Sequence, residues 1–232
     1  MASNQIPNPK SQIPNQIDAF EKMDKMYRYQ RYFYDLTRKY YLLGRDKLIE
    51  KMNVADGENI LEIGCGTGRN LIILASKFPK ATFYGLDASA AMLETAQTKI
   101  ESKNITNITL KNALADDFDY TETLGLEKPF DTIYFSYSIS MIPMWQESIA
   151  NTLANLKPGG SFYIVDFYNQ KDLPVWFRRV LKVWLKQFHV KYPKDLLPHL
   201  ENLEKQDVGK LKVSLIYKSY AFIAEFEKTK TV

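Results

Sequence analysis

The chain has 232 residues, with 31 Lys and Arg against 27 Asp and Glu, and 45% of its residues are hydrophobic. At roughly 100 to 200 residues per domain this describes one ordinary domain, and a charged fraction of 25% excludes wholesale disorder and fibrous repeats. Apolar runs such as Leu71 to Ala75 fall far short of the ~20 residues needed to cross a bilayer. A single cysteine, Cys65, rules out an internal disulfide, and with His189 and His199 as its only histidine company no metal centre is expected.

In chain order, residues 1–16 are Asn, Gln, Pro and Ser with isolated Ile, which predicts a disordered leader without a signal-peptide pattern, and hence a cytoplasmic protein. Residues 17–52 read as a helical cap of one or two helices broken at Gly44. Tyr27, Arg31, Tyr34, Arg38 and Tyr41 recur there at helical spacing and form one Tyr/Arg face. From residue 55 to 168 short apolar runs alternate with helical patterns, the signature of a mostly parallel, doubly wound α/β sheet. Strands are predicted at Asn59 to Ile63, Thr82 to Leu86, Ile108 to Lys111, Asp131 to Ser136 and Ser161 to Phe167, the last entered through a Lys157-Pro158-Gly159-Gly160 turn. Helices are predicted at Asn70 to Lys77, Ala90 to Glu101 and Glu147 to Leu156. Residues 169–210 form an insertion, read as basic and amphipathic, and residues 211–227 an antiparallel hairpin at the sheet edge.

The net charge of +4 is concentrated. Between Lys171 and Lys218 eleven Lys and Arg face five Asp and Glu, a surplus suited to a nucleic acid, an anionic membrane or an acidic substrate. Trp176 and Trp184 alternate with Arg178, Arg179, Lys182 and Lys186, so a helix there either lies in a membrane interface or caps the domain.

The chemistry is carried by Glu62-Ile-Gly64-Cys65-Gly66-Thr67-Gly68-Arg69-Asn70, between a strand and a helix, with Asp87 at the tip of the next strand. Glycines at such a turn admit close approach of a ligand, and an acid at the second strand's tip can accept both hydroxyls of a ribose. The third glycine comes one residue earlier than in a dinucleotide fingerprint, and Glu62 would repel a pyrophosphate, which disfavours a nicotinamide dehydrogenase. S-adenosylmethionine, with a ribose, an ammonium, a sulfonium and no phosphate, matches the Glu62 and Asp87 pair. Cys65 reads as backbone filler within the turn.

These residues resemble a family. ILEIGCGTGRN, the acid of GLDAS, Asn112-Ala113-Leu114-Ala-Asp and the KPGG turn are similar to class I S-adenosylmethionine-dependent methyltransferases. That resemblance implies a single Rossmann-like methyltransferase domain over residues 17–232, with Thr67, Asn70, Ala88, Asn112, Ala113, Leu114 and Ser136 also along the cofactor. A narrower resemblance, on residues 27–49 (YRYQRYFYDLTRKYYLLGRDKLI), Phe135 to Pro143 and Tyr220 to Phe226, is to the methyltransferase half of betaine-lipid synthases. It implies trimethylation of the homoserine amine of diacylglycerylhomoserine, supplied by a partner enzyme at an anionic membrane surface.

On that reading Tyr27, Tyr34 or Tyr137 would face the amine, a cation over a ring contributing roughly 0.5 to 2 kcal/mol. Arg31, Arg38 and Tyr41 would hold the acceptor, and Arg45 the methyl donor's carboxylate. The alternative is that the tyrosines only pack the helix. Other acceptors remain open, namely a phospholipid or small amine, or a quinone methylated on carbon. Base methylation is disfavoured because Ser136-Tyr137-Ser138-Ile139 stands where enzymes that methylate DNA amines carry an Asn-Pro-Pro-Tyr-like run, and no nucleic-acid readout motif is present.

Overall fold

A computed structural model of the chain describes residues 42–176, 178–179 and 194–229. Tyr27, Arg31, Tyr34, Arg38 and Tyr41, the leader, and Trp184, Lys182 and Lys186 of the insertion lie outside these residues. The described chain runs α1 (Arg45–Lys51), β1 (Asn59–Ile63), α2 (Arg69–Lys77), β2 (Thr82–Asp87), α3 (Ala90–Ser102), β3 (Ile108–Asn112), β4 (Phe130–Ser136), a short 3-10 turn (Ile139–Met141), α4 (Trp145–Asn155), β5 (Leu156–Phe167), α5 (Leu196–Lys205), β6 (Gly209–Ile216) and β7 (Ala221–Lys228).

The seven strands form one sheet in the order β3-β2-β1-β4-β5-β7-β6. The first five are parallel, whereas β7 pairs antiparallel with both β5 and β6. The doubly wound sheet with a terminal hairpin that the sequence predicts is therefore the observed fold. Strands covered on both faces carry near-continuous apolar runs, and alternate residues divide between two cores. Tyr134, Tyr163 and Val165 join Leu48, Leu71 and Leu74 from α1 and α2 on one face; Ile133, Phe135 and Phe162 join Ile149, Leu153 and Leu200 from α4 and α5 on the other. The strand order reverses between β1 and β4, which opens a crevice at their carboxyl ends.

Two boundaries differ from the sequence reading. First, β5 begins at Leu156, so Pro158 and the two glycines lie within a strand; Phe130 pairs with Leu156 and Thr132 with Ser161 across a register shift. Second, residues 196–205 of the supposed basic insertion form α5, which buries Leu196, Leu197 and Leu200 against the sheet and carries Glu201 and Glu204 outward. Gly44 directly precedes α1 at φ 99°, and a Cβ there would lie 2.3 Å from Ile216 Cδ1 on β6, so the glycine is also a packing contact. Among the described residues no helix is long and apolar enough to cross a membrane.

Candidate active site

The turn from β1 into α2 is built by its neighbours. The Gly64 and Cys65 N–H groups donate to the Leu86 carbonyl at 2.8 and 3.0 Å. The Asp87 carboxylate accepts from the Gly66 N–H at 2.7 Å and the Ser89 N–H at 2.9 Å. The Asn112 amide donates to the Asp87 carbonyl at 2.8 Å, which carries the edge on to Ala113 and Leu114 after β3. On the other side Ser138, just past β4, donates to the Ile63 carbonyl at 2.7 Å. Gly64 has φ 73°, and a Cβ there would stand 2.4 Å from Ser138 Cβ, so glycine is required both by conformation and by this close approach.

Glu62 is the unusual group. It is 2% exposed, accepts from Asn70 Nδ2 at 2.7 Å and from the Tyr134 hydroxyl at 3.0 Å, and faces a cavity. Burial raises its pKa from 4.5 to about 7, against the pull of those two hydrogen bonds and of Arg45. Glu62 and Tyr134 are register partners on adjacent strands. Asn70 is oriented in turn by Arg69, whose guanidinium donates to Asn70 Oδ1 at 3.1 Å and pairs with Asp46 of α1 at 3.0 Å.

The cavity gathers Arg45, Glu62, Gly64, Cys65, Thr67, Asn70 and Ser136, all of which the sequence points to, together with Leu42 and Arg69. The Ser136 hydroxyl is buried in this group with no hydrogen-bond partner. Burial, with Asp87 and Glu62 nearby, pushes the Cys65 thiol well above its ordinary value, which leaves it protonated and unsuited to act as a nucleophile. Ala88, half-buried after β2, follows Asp87 along the same edge.

Tyr137 is placed differently. Its backbone takes φ 57°, its ring is 2% exposed and stacks edge-on against Phe167, and its hydroxyl donates to the Leu43 carbonyl. It ties the segment before α1 to the end of β4 and does not line the cavity. Asp166, which sequence reading misses, sits nearby at the end of β5 with its carboxylate fixed by the Ser140 and Phe167 N–H groups; burial raises its pKa from 3.8 to about 6. His199 packs edge-on against Trp145 on the α5 face.

A glycine turn at the switch point of a doubly wound sheet, with an acid at the second strand's tip and a buried carboxylate in the cavity wall, defines a nucleoside-type site tuned for positive charge. Residues 55–214 match the model of the family described as Methyltransferase domain, and the chain belongs to that family. It is similar to the demethylmenaquinone methyltransferase of Listeria welshimeri, at 26% identity over 182 residues, covering 75% of this chain and 74% of the relative. It is also similar to the trans-aconitate 2-methyltransferase of Delftia acidovorans, at 31% identity over 114 residues, 49% of this chain and 40% of the relative.

Solved structures of methyltransferases share its fold. An S-adenosylmethionine-dependent methyltransferase of Methanococcus maripaludis superposes with TM-score 0.60 at 18% identity, covering 99% of this chain and 98% of that one. A phosphoethanolamine N-methyltransferase of Haemonchus contortus, solved with phosphomonomethylethanolamine and S-adenosylhomocysteine, superposes with TM-score 0.62 at 17% identity, covering 80% of this chain and 52% of that one.

Proposed function

We propose that the cavity is the site of S-adenosylmethionine and that the enzyme methylates a lipid acceptor. The observation that carries the cofactor assignment is Glu62, a buried carboxylate in the cavity wall beside the turn that Asp87 closes. The donor set fits the cofactor. Glu62 offers an ammonium its counter-charge, Arg45 offers a carboxylate a guanidinium, the Ser136 hydroxyl lacks a hydrogen-bond partner, and Asp87 stands at the tip of β2, where an acid can meet a ribose. When bound, S-adenosylmethionine supplies an electrophilic methyl group on a sulfonium. The chain's own residues then position and exclude water, work that fits in-line transfer without a strong base.

The acceptor has two readings. The similarity to demethylmenaquinone methyltransferases supports a quinone methylated on carbon more directly than it supports an amine. The motif at residues 27–49 supports the homoserine amine of diacylglycerylhomoserine. Both acceptors carry long apolar tails, and both would be delivered from a membrane to the carboxyl edge of the sheet. Incubating the protein with a deuterated methyl donor and vesicles holding either lipid, followed by mass spectrometry, separates the readings by which lipid gains label. Bound cofactor with label in neither lipid would remove the lipid acceptor altogether.

A further inference from the structure

At the carboxyl edge of the sheet a second feature shares the edge with the cofactor turn, with β4 and β5 between them. Phe167 at the end of β5 pairs with Ala221 at the start of β7, so the turn joining β6 to β7, residues 217–220, lies at the same edge as the ends of β1 and β4. Three successive non-glycine residues of this turn are left-handed: Tyr217 at φ 52°, Lys218 at 53° and Ser219 at 56°. A left-handed run is costly for side chains bearing a Cβ, and here it presents Tyr217, 44% exposed, and Lys218 to solvent.

The turn is firmly held. Tyr168 and Gln170 N–H groups donate to the Tyr220 and Ser219 carbonyls at 2.9 Å each, and the Ser219 hydroxyl bonds to Asp172. That bond brings the turn together with the segment carrying exposed Val175 and Trp176, 54% and 69% exposed. From the other side Lys47 of α1 lies over the Tyr217 ring at 4.5 Å. The result is a rim of exposed aromatic and aliphatic side chains interleaved with Lys47, Lys171 and Lys218. Of the nearby acids, Asp46 is paired with Arg69 and Asp172 with Ser219, which leaves Glu50 of α1 as the exposed counter-charge on that helix.

We propose that this rim docks the enzyme on an anionic membrane surface, with Tyr217 and Trp176 at the headgroup boundary and the lysines against the lipid charge. Aromatic side chains with an apolar body and a polar end favour that boundary, and the surface potential of anionic lipid attracts basic residues. The continuity of the rim with the edge where β1, β4 and β5 end gives a lipid a short path to the methyl donor. The inference rests on the lipid reading of the acceptor, yet docking itself is measured with vesicles containing no acceptor lipid, so the two can fail separately.

The test is sedimentation of the full chain with vesicles of phosphatidylglycerol and phosphatidylcholine, or of phosphatidylcholine alone, at low and high salt. The parent should pellet with the anionic vesicles at low salt and be released at high salt. Each basic residue near such a surface contributes about a fivefold factor, so Lys218→Glu should weaken binding about twentyfold, and Tyr217→Ser several-fold. Lys218→Gly separates docking from folding: glycine accepts φ 53° without strain, so it should raise the melting temperature while lowering vesicle affinity about fivefold. The proposal is overturned if the parent ignores anionic vesicles, if Lys218→Glu and Lys218→Gly bind them like the parent, or if Tyr217→Ser instead abolishes a dimer of the free protein.

Discussion

Glu62 and Lys228 are both charged side chains buried by the sheet, one on β1 at the cavity and the other at the end of β7. Lys228 donates to the Leu153 and Leu156 carbonyls at 2.6 and 2.7 Å, where α4 passes into β5, and so satisfies groups that a helix end leaves without partners. Burial lowers its pKa, but its donors are spent on the protein's own backbone. Glu62 is also held by two protein donors, yet those partners leave it in a cavity wall with a pKa near 7. One buried charge completes the fold. The other is kept at a cost to the fold, which makes sense where a cationic ligand later joins it.

The largest expected effect breaks the cavity half of this comparison. Gly64→Ala adds a Cβ at φ 73° and 2.4 Å from Ser138 Cβ; a left-handed alanine costs about 1–2 kcal/mol and overpacking about 1–3 more. The melting temperature should fall by many degrees, and cofactor binding should be lost. Lys228→Met, at the other end of the sheet, should cost about 2–4 kcal/mol, since it strips the donor from two buried carbonyls. Cofactor affinity by calorimetry should stay within a few-fold of the parent. A large loss of affinity there would mean that the two buried charges are not functionally separate.

Glu62→Gln tests the same contrast through pH. Glu62 has a folded pKa of about 7 against an ordinary 4.5, so between these values the folded chain holds a proton that the unfolded chain has released. Stability therefore falls as pH rises from 4.5 through 7, and above pH 7 the buried carboxylate costs on the order of 3 kcal/mol. The Gln variant, isosteric and uncharged, should be more stable than the parent at pH 8 and indistinguishable from it at pH 4. It should also bind S-adenosylmethionine at least tenfold more weakly at pH 8. If denaturant melts of the two proteins differ equally at pH 4 and pH 8, the carboxylate is not titrating in this window.

The glycine turn, Glu62 and Asp87 are legible in the sequence because strand, turn and helix are local and their spacing is carried by one short stretch. The partner of Glu62 is not legible: Tyr134 lies 72 positions away and reaches the carboxylate through strand register alone. Pro158-Gly159-Gly160 reads as a turn by composition, and the pairing with β4 passes it by, since Leu156 pairs with Phe130 and Ser161 with Thr132; what composition does not show is that β5 already begins at Leu156, before the turn. The charge surplus over residues 171–218 conceals α5, because a count over a window does not see three leucines on one helical face. Tyr137 is taken as a residue facing a substrate from the resemblance over Phe135 to Pro143, and that resemblance does not show its left-handed backbone or its burial in the core.

The smallest expected effect sharpens the picture of how Glu62 is held. Arg69 and Asp46 form an ion pair whose side chains are 38% and 74% exposed, and such pairs contribute about 0.2–1 kcal/mol to stability. Arg69→Leu should therefore lower stability by less than about 1 kcal/mol. Its second role is orientation. By donating to Asn70 Oδ1, Arg69 keeps the Asn70 amide nitrogen turned toward Glu62, where it stabilises the carboxylate. Without Arg69 the amide can rotate and present its oxygen to a protonated Glu62, which favours the neutral acid. The midpoint of the pH dependence of cofactor binding should then move up by roughly half a unit, with affinity at pH 8 little changed. Arg69→Lys should restore part of the shift, since one ammonium can still donate to Asn70 but cannot match the fork that serves Asn70 and Asp46 together. Calorimetric titrations from pH 6 to pH 8 decide it. An unmoved midpoint in Arg69→Leu would show that Asn70 is oriented by Glu62 alone, and the link from α1 through Arg69 to the buried carboxylate would carry no weight.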